Sequence, residues 1–169
     1  LYKFNQTNWV LFTNQSNFID GTHYYQGFAK NILGDEGATE ERSINAVVPL
    51  ENLGISIASV QRINVASVNG GVRNVIFNVT VRDGNLAAVA VNAEFVNGAT
   101  VLQDSNCVLI RQLNLITAIY ECSIGIRYYD IPGLWTVNSI AGDGMNSASK
   151  SSNFVLMSTR AISHPTSSS

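Results

Sequence analysis

Cys107 and Cys122 are the only cysteines of the chain. A thiol pair can hold a metal ion or close a disulfide. No histidine lies near either one in sequence, so a metal-binding pair would lack its usual companions. The expectation is a disulfide tying two neighbouring strands. Closing a loop of that size stabilises a fold by about 3 kcal/mol in the chain-entropy model.

His23 and His164 are the only histidines. One sits in an aromatic, polar segment and the other in a Ser-rich tail. A nucleophile–His–carboxylate triad needs rigid elements to hold it, and the chain has no Gly-x-Ser-x-Gly turn. Glycoside hydrolysis needs two carboxylates flanking a groove. Asp83, Glu94, Asp104, Glu121, Asp130 and Asp143 are acidic, but most fall at turn signals, where Asp caps the backbone. Asp130, Asp143 and Asn146 would suit calcium if they shared a loop end, because that ion takes oxygen ligands. No Asp-x-Asp-x-Asp run accompanies them. The reading is a non-enzymatic chain with no catalytic residue, no cofactor and no resident metal.

Three sequons offer a different chemistry. Asn5-Gln6-Thr7, Asn14-Gln15-Ser16 and Asn78-Val79-Thr80 each lack a central proline. Each is a glycan acceptor if the host modifies exported proteins. Trp9-Val10-Leu11-Phe12 is an apolar run fit for a strand, set among aromatic, Asn and Gln residues. It would complete a sheet in this subunit or in a neighbouring copy. Exposed Trp9, Tyr24 and Tyr25 would instead stack on sugar rings.

The elements that must position these residues are strands. Val75, Phe77, Val79 and Val81 alternate with Ile76, Asn78, Thr80 and Arg82, the pattern of a half-buried strand. Asp83-Gly84-Asn85 reads as a hairpin turn. Ala87, Val89, Val91 and Ala93 alternate next, and Asn97-Gly98 closes that strand. Further strands are expected at 100–103, 107–111, 115–124, 134–140 and 153–158. Residues 25–33 alone have spacing for a helical turn or two. Strands every 8–12 residues with Gly, Asn and Asp turns point to an all-β sandwich. The expected organisation is an extension over 1–42 that lends its apolar strand, a sandwich domain over 43–160, and a polar tail over 161–169.

Composition narrows the setting. Hydrophobic residues make up 46% of the 169 positions and charged residues only 13%. A full core is therefore available, while Asn, Ser and Thr supply most of the polar surface. Net charge is −2 with scattered basic residues, which argues against nucleic acid as a partner. No apolar run approaches the length needed to span a bilayer. The longest candidate, 86–95, is interrupted by Asn92 and Glu94. A first residue of Leu1 is what removal of a secretion signal would leave.

The stretch Tyr128-Tyr129-Asp130-Ile131-Pro132-Gly133-Leu134-Trp135-Thr136-Val137-Asn138 is followed by Asp143-Gly144-Met145-Asn146 and Asn153-Phe154-Val155-Leu156. Together they resemble the last two strands of immunoglobulin-like modules of prokaryotic, chiefly archaeal, secreted surface proteins. The usual Gly-Asn turn reads Gly144-Met145-Asn146 here. The resemblance spans about residues 55–158 and does not reach the extension. Tyr120-x-Cys122 is similar to the immunoglobulin tyrosine corner, although the two cysteines stand too close in sequence for the usual bridge between sheets. The resemblance implies an immunoglobulin-like or jelly-roll-like antiparallel sandwich at a cell surface.

The expected role is a structural subunit of an extracellular filament or surface layer, with copies of itself as partner. The competing expectation is an adhesive or carbohydrate-binding module that meets surface glycans.

Overall fold

The computed structural model describes residues 2–4, 18–64, 71–104 and 106–159. The central strands are β7 (Val72–Arg82), β8 (Ala90–Asn97), β11 (Thr117–Arg127), β12 (Gly133–Gly142) and β13 (Ser147–Thr159). Each places alternate residues inside. Val75, Phe77, Val79 and Val81 face Cys122, Tyr120, Ala118 and their neighbours along the β7–β11 ladder, in register from Thr117↔Arg82 to Arg127↔Val72. Val91, Ala93 and Phe95 of β8, Trp135 and Val137 of β12, and Phe154 and Leu156 of β13 fill the opposite face. Phe77, Phe95, Phe154 and Trp135 run across the core as an aromatic chain with centroid spacings of 5.3, 4.7 and 6.4 Å. Each ring fully withdrawn from water contributes about 1.5–3 kcal/mol.

Four more strands complete two sheets. They are β5 (Glu51–Ser56), β6 (Val60–Asn64), β9 (Thr100–Asp104) and β10 (Val108–Asn114). One sheet has the order β10-β11-β7-β5 and the other β6-β13-β12-β8-β9. Among the described residues every ladder of these two sheets is antiparallel except β6 with β13, which is parallel. In immunoglobulin order β5, β7, β11 and β10 take the A, B, E and D places, and β8, β12 and β13 the C, F and G places. The chain is an all-β sandwich, and of the two topologies expected this is the immunoglobulin-like one.

Two local expectations change. Asp83-Gly84-Asn85 is not a hairpin turn, because β7 and β8 lie in different sheets. The chain crosses between them through a single 3-10 turn, Leu86–Ala88, so β8 starts at Ala90 and Ala87 is not in a strand. Burial of Leu86 beneath that turn explains the crossing.

The amino-terminal region forms its own small sheet. It comprises β1 (Tyr2–Phe4), β2 (Gly21–Lys30), β3 (Glu36–Ala38) and β4 (Arg42–Ala46), with β2 pairing to the other three. Residues 25–30 are strand, not a helical turn. Thr39 bridges the break between β3 and β4: its N–H donates to Gly27 O and its hydroxyl accepts from Gly27 N–H. β4 pairs with β2 from Gly21↔Ala46 to Tyr25↔Arg42, so residues 42–46 join this small sheet. Asp20 fastens this arm to the body. Its N–H donates to Gly84 O at 3.2 Å, and its Oδ1 accepts from Val48 N–H at 2.7 Å. A Cβ on residue 84 would stand 1.9 Å from Asp20 Oδ1, so any side chain there would displace the Asp20 carboxylate from Val48.

Candidate functional site

Among the described residues β10 is an edge strand, paired only with β11, and all seven of its residues are exposed. Val108, Leu109, Ile110 and Leu113 are apolar, and Arg111 is its one charged residue. Two register irregularities, between Leu109 and Arg111 and between Gln112 and Asn114, kink the strand. An edge strand offers a row of unpaired N–H and C=O groups, which proteins ordinarily blunt with charge, proline or bulges. Here the bulges are present and the charge is sparse.

Beside the start of β10 lies a cleft of about 390 Å³ lined by Leu86, Val89, Val91, Cys107, Leu109 and Tyr120, among others. Its floor is pinned from both sheets. Cys107 is bonded to Cys122 on β11, while its N–H donates to Val91 O of β8 at 3.0 Å. Cys107 stands just before β10, so the disulfide ties a connection to a strand and, through Val91, one sheet to the other. The Tyr120 hydroxyl reaches the carbonyls of Leu86 and Val89, each at 3.5 Å. Burial pushes its phenol up, so it remains a donor. The lining holds no carboxylate, histidine or lysine. Ala87, Ala90, Asn92 and Asn106 complete the lining, so the cleft presents polar and apolar groups in similar measure.

The second unusual surface is the β2–β3 turn. Asn31 accepts from the N–H groups of Leu33 and Asp35 through Oδ1, both at 2.9 Å, and its Nδ2 donates to Asp35 Oδ2 at 2.7 Å. Backbone bonds Asn31 N to Asp35 O and Gly34 N to Asn31 O close the loop. Gly34 sits at φ +94°, a conformation that other residues rarely adopt. This well-bonded turn presents Ile32 and Leu33 at 102% and 83% exposure.

Of the residues singled out from sequence, Asn5, Asn14, Trp9, Val10, Leu11, Phe12 and His164 lie outside the described residues. Asn78 is on the outward set of β7, opposite Ser56 and Glu121, but it is half-buried and its Oδ1 is shielded from solvent with no partner. It is less open than a sequon on a loop. His23 is buried, its Nε2 within 2.8 Å of Ile19 O and its ring against Phe18.

Asp130 and Asp143 do not share a loop end. They flank the ten residues of β12, which span about 33 Å. Each serves its own turn. Buried Asp130 accepts from Arg127 N–H at 2.7 Å. Asp143 accepts from the Asn146 N–H, from Asn146 Nδ2 and from the Met145 N–H, and these bonds hold its carboxyl below the usual range. Glu94 accepts from Asn138 Nδ2 at 3.0 Å. Asp83 is 2% exposed, and burial, with Asp143 and Asp20 nearby, raises its carboxyl pKa. No cluster of three or more metal-ligating side chains occurs among the described residues. No helix among them is long and apolar enough to cross a membrane.

The corner expected at Tyr120 lies elsewhere. Tyr120 is in β11, at the E place. Trp135, near the start of β12 and fully buried, donates from Nε1 to Ile131 O at 3.0 Å. That is the tyrosine-corner bond made by an indole at the E–F corner. The Pro132-Gly133-Leu134-Trp135 pattern carried the signal. Ile32 and Leu33 carried none, because an apolar pair within a turn looks like core until the turn is seen to face water.

No family model matches the chain, and no curated protein matches it.

Proposed function

We propose that the chain is a structural subunit of an extracellular filament or surface layer, assembling with copies of itself. The observation that carries this reading is β10: an edge strand of seven residues, exposed throughout, with four apolar side chains and a single charge. A strand added there from another copy would gain main-chain hydrogen bonds and bury apolar side chains together. Trp9-Val10-Leu11-Phe12 is the segment of suitable character. A head-to-tail contact of this kind does not close, so it propagates. The disulfide fits an oxidising compartment outside the cytoplasm, and the Asn5 and Asn14 sequons fit the same setting.

The carbohydrate-binding alternative finds less support. Tyr24 and Tyr25 are partly exposed, but adjacent strand residues point to opposite faces and make no shared stacking platform. Electron microscopy and sedimentation of purified protein separate the two readings. The structural role predicts filaments or sheets and a mass that grows with concentration. A monomer at every concentration, retained on a glycan array, would favour the binding module.

A further inference from the structure

We infer that copies meet end to end by charge: the acidic edge of one copy's amino-terminal arm, at Glu40 and Glu41, docks on the end of the next copy's sandwich where Arg62, Arg73 and Arg127 gather. The inference rests on the self-assembly reading and names one of its contacts.

Topology builds the basic end. β7 starts at Val72 and β11 ends at Arg127, and these two residues pair. Arg73 follows, paired with Ile126, and its guanidinium donates to the carbonyl of Arg62 on β6 in the opposite sheet. Arg127 lies over the Tyr129 ring, 5.2 Å from its centroid, and donates to its hydroxyl at 2.5 Å. The neighbouring carboxylate, Asp130, is buried and accepts from the Arg127 N–H. The ion pairs among the described residues are Lys30 with Glu36 and Arg82 with Glu51, so none of the three arginines is in one.

The arm carries the opposite charge. Between residues 18 and 46 the carboxylates are Asp20, Asp35, Glu36, Glu40 and Glu41, and the cations are Lys30 and Arg42. Lys30 is already paired with Glu36, and Asp20 is held by Val48. Glu40 and Glu41 lie between β3 and β4, beside the middle of β2, and both are exposed.

The two surfaces stand at opposite ends of the body. The arm is fastened at Gly84, past the Arg82 end of β7, and the arginines lie at its Val72 end. The eleven residues between span about 36 Å, several Debye lengths at physiological salt. Neither ion pair joins arm to body. The complementary surface is therefore supplied by a neighbour, in a contact that repeats without closing. A polyanion would meet the arginines but leave the acidic edge without a partner, and the net charge of −2 repels it at long range.

The test is sedimentation of full-length wild type, Arg62→Glu/Arg127→Glu and Glu40→Lys/Glu41→Lys. Wild type should assemble less readily as salt rises. Each double variant should need about tenfold more protein to assemble. An equal mixture of the two variants should assemble as wild type does, because each supplies the charge that the other has lost. A misfolded variant would not be rescued in this way, so the mixture is also the folding control. If wild type assembles and either variant assembles equally well, the docking is wrong while the structural role stands. Failure of the mixture overturns the docking too. If wild type never assembles, both are wrong. If only the arginine variant fails, and it alone has lost retention on dextran sulfate, the end is a polyanion site and the docking is overturned.

Discussion

Of the ten residues of β2 in the arm, only His23 is buried, while the eleven of β7 in the body bury Val75, Phe77, Val79 and Val81. Both are antiparallel strands with satisfied ladders. In the body the ladder positions an aromatic core, and packing supplies the stability. In the arm the hydrogen bonds are made but the side chains largely face water, Tyr24, Tyr25, Ile32, Leu33 and Ile44 among them. A sheet organised by its backbone and left uncovered gains little from folding alone. It has most to gain from a partner.

If the body carries the stability, the largest effect belongs to Trp135. Trp135→Ala should cost about 3–5 kcal/mol, by transfer and cavity together, and should lower the melting temperature of the whole sandwich by calorimetry. A melt unchanged within error would break the contrast. Replacing Cys107 and Cys122 together by Ala should cost about 3 kcal/mol, and chemical denaturation should show it as an earlier midpoint with the arm's exchange rates unmoved.

The arm should answer to smaller and more local changes. Asn31→Ala removes three hydrogen bonds of the tip. Hydrogen exchange at Leu33 and Asp35 should quicken by about tenfold, corresponding to roughly 1.4 kcal/mol, while the melting of the body stays fixed. Loss of body stability would show that the two regions are coupled more tightly than their contacts imply.

The smallest effect is expected where they meet. Asp83 has a raised carboxyl pKa, so its ionised form is disfavoured in the fold. Its protonated form favours the folded state below the ordinary value of 3.8, and that benefit is lost as pH rises through the raised value. Asp83→Asn should therefore raise the melting temperature at pH 7 and lose its advantage as pH falls towards 3.8. An advantage that grows with acidity would reverse the assignment.

The body was legible in sequence because its strands alternate cleanly: period two in 75–82 and a buried Phe154-x-Leu156 leave little choice of face. The arm was less so. Tyr25, Phe28, Ala29, Ile32 and Leu33 fall at helical spacing, yet pairing with β1, β3 and β4 made the segment strand. Gly27 and the aromatic residues weaken a helix there, and tertiary pairing prevailed. The 83–85 crossing was misread for a similar reason. Asp-Gly-Asn chemistry suits a hairpin, but which sheet receives β8 is decided by distant contacts such as Phe77 with Phe95. The disulfide partners were plain from their count. The cleft they floor was not, since it arises where β10 and the crossing come together in space.

The central claim, that β10 is the edge through which copies join, meets its most direct test in sedimentation of full-length Ile110→Lys beside wild type. Ile110 is half exposed, so a lysine there can reach water without disturbing the core, and a charge on an edge opposes strand addition. The account predicts that wild type gains mass as concentration rises while Ile110→Lys remains a monomer with an unchanged melting temperature. Equal assembly of both proteins, or a wild type that stays monomeric throughout, would contradict it.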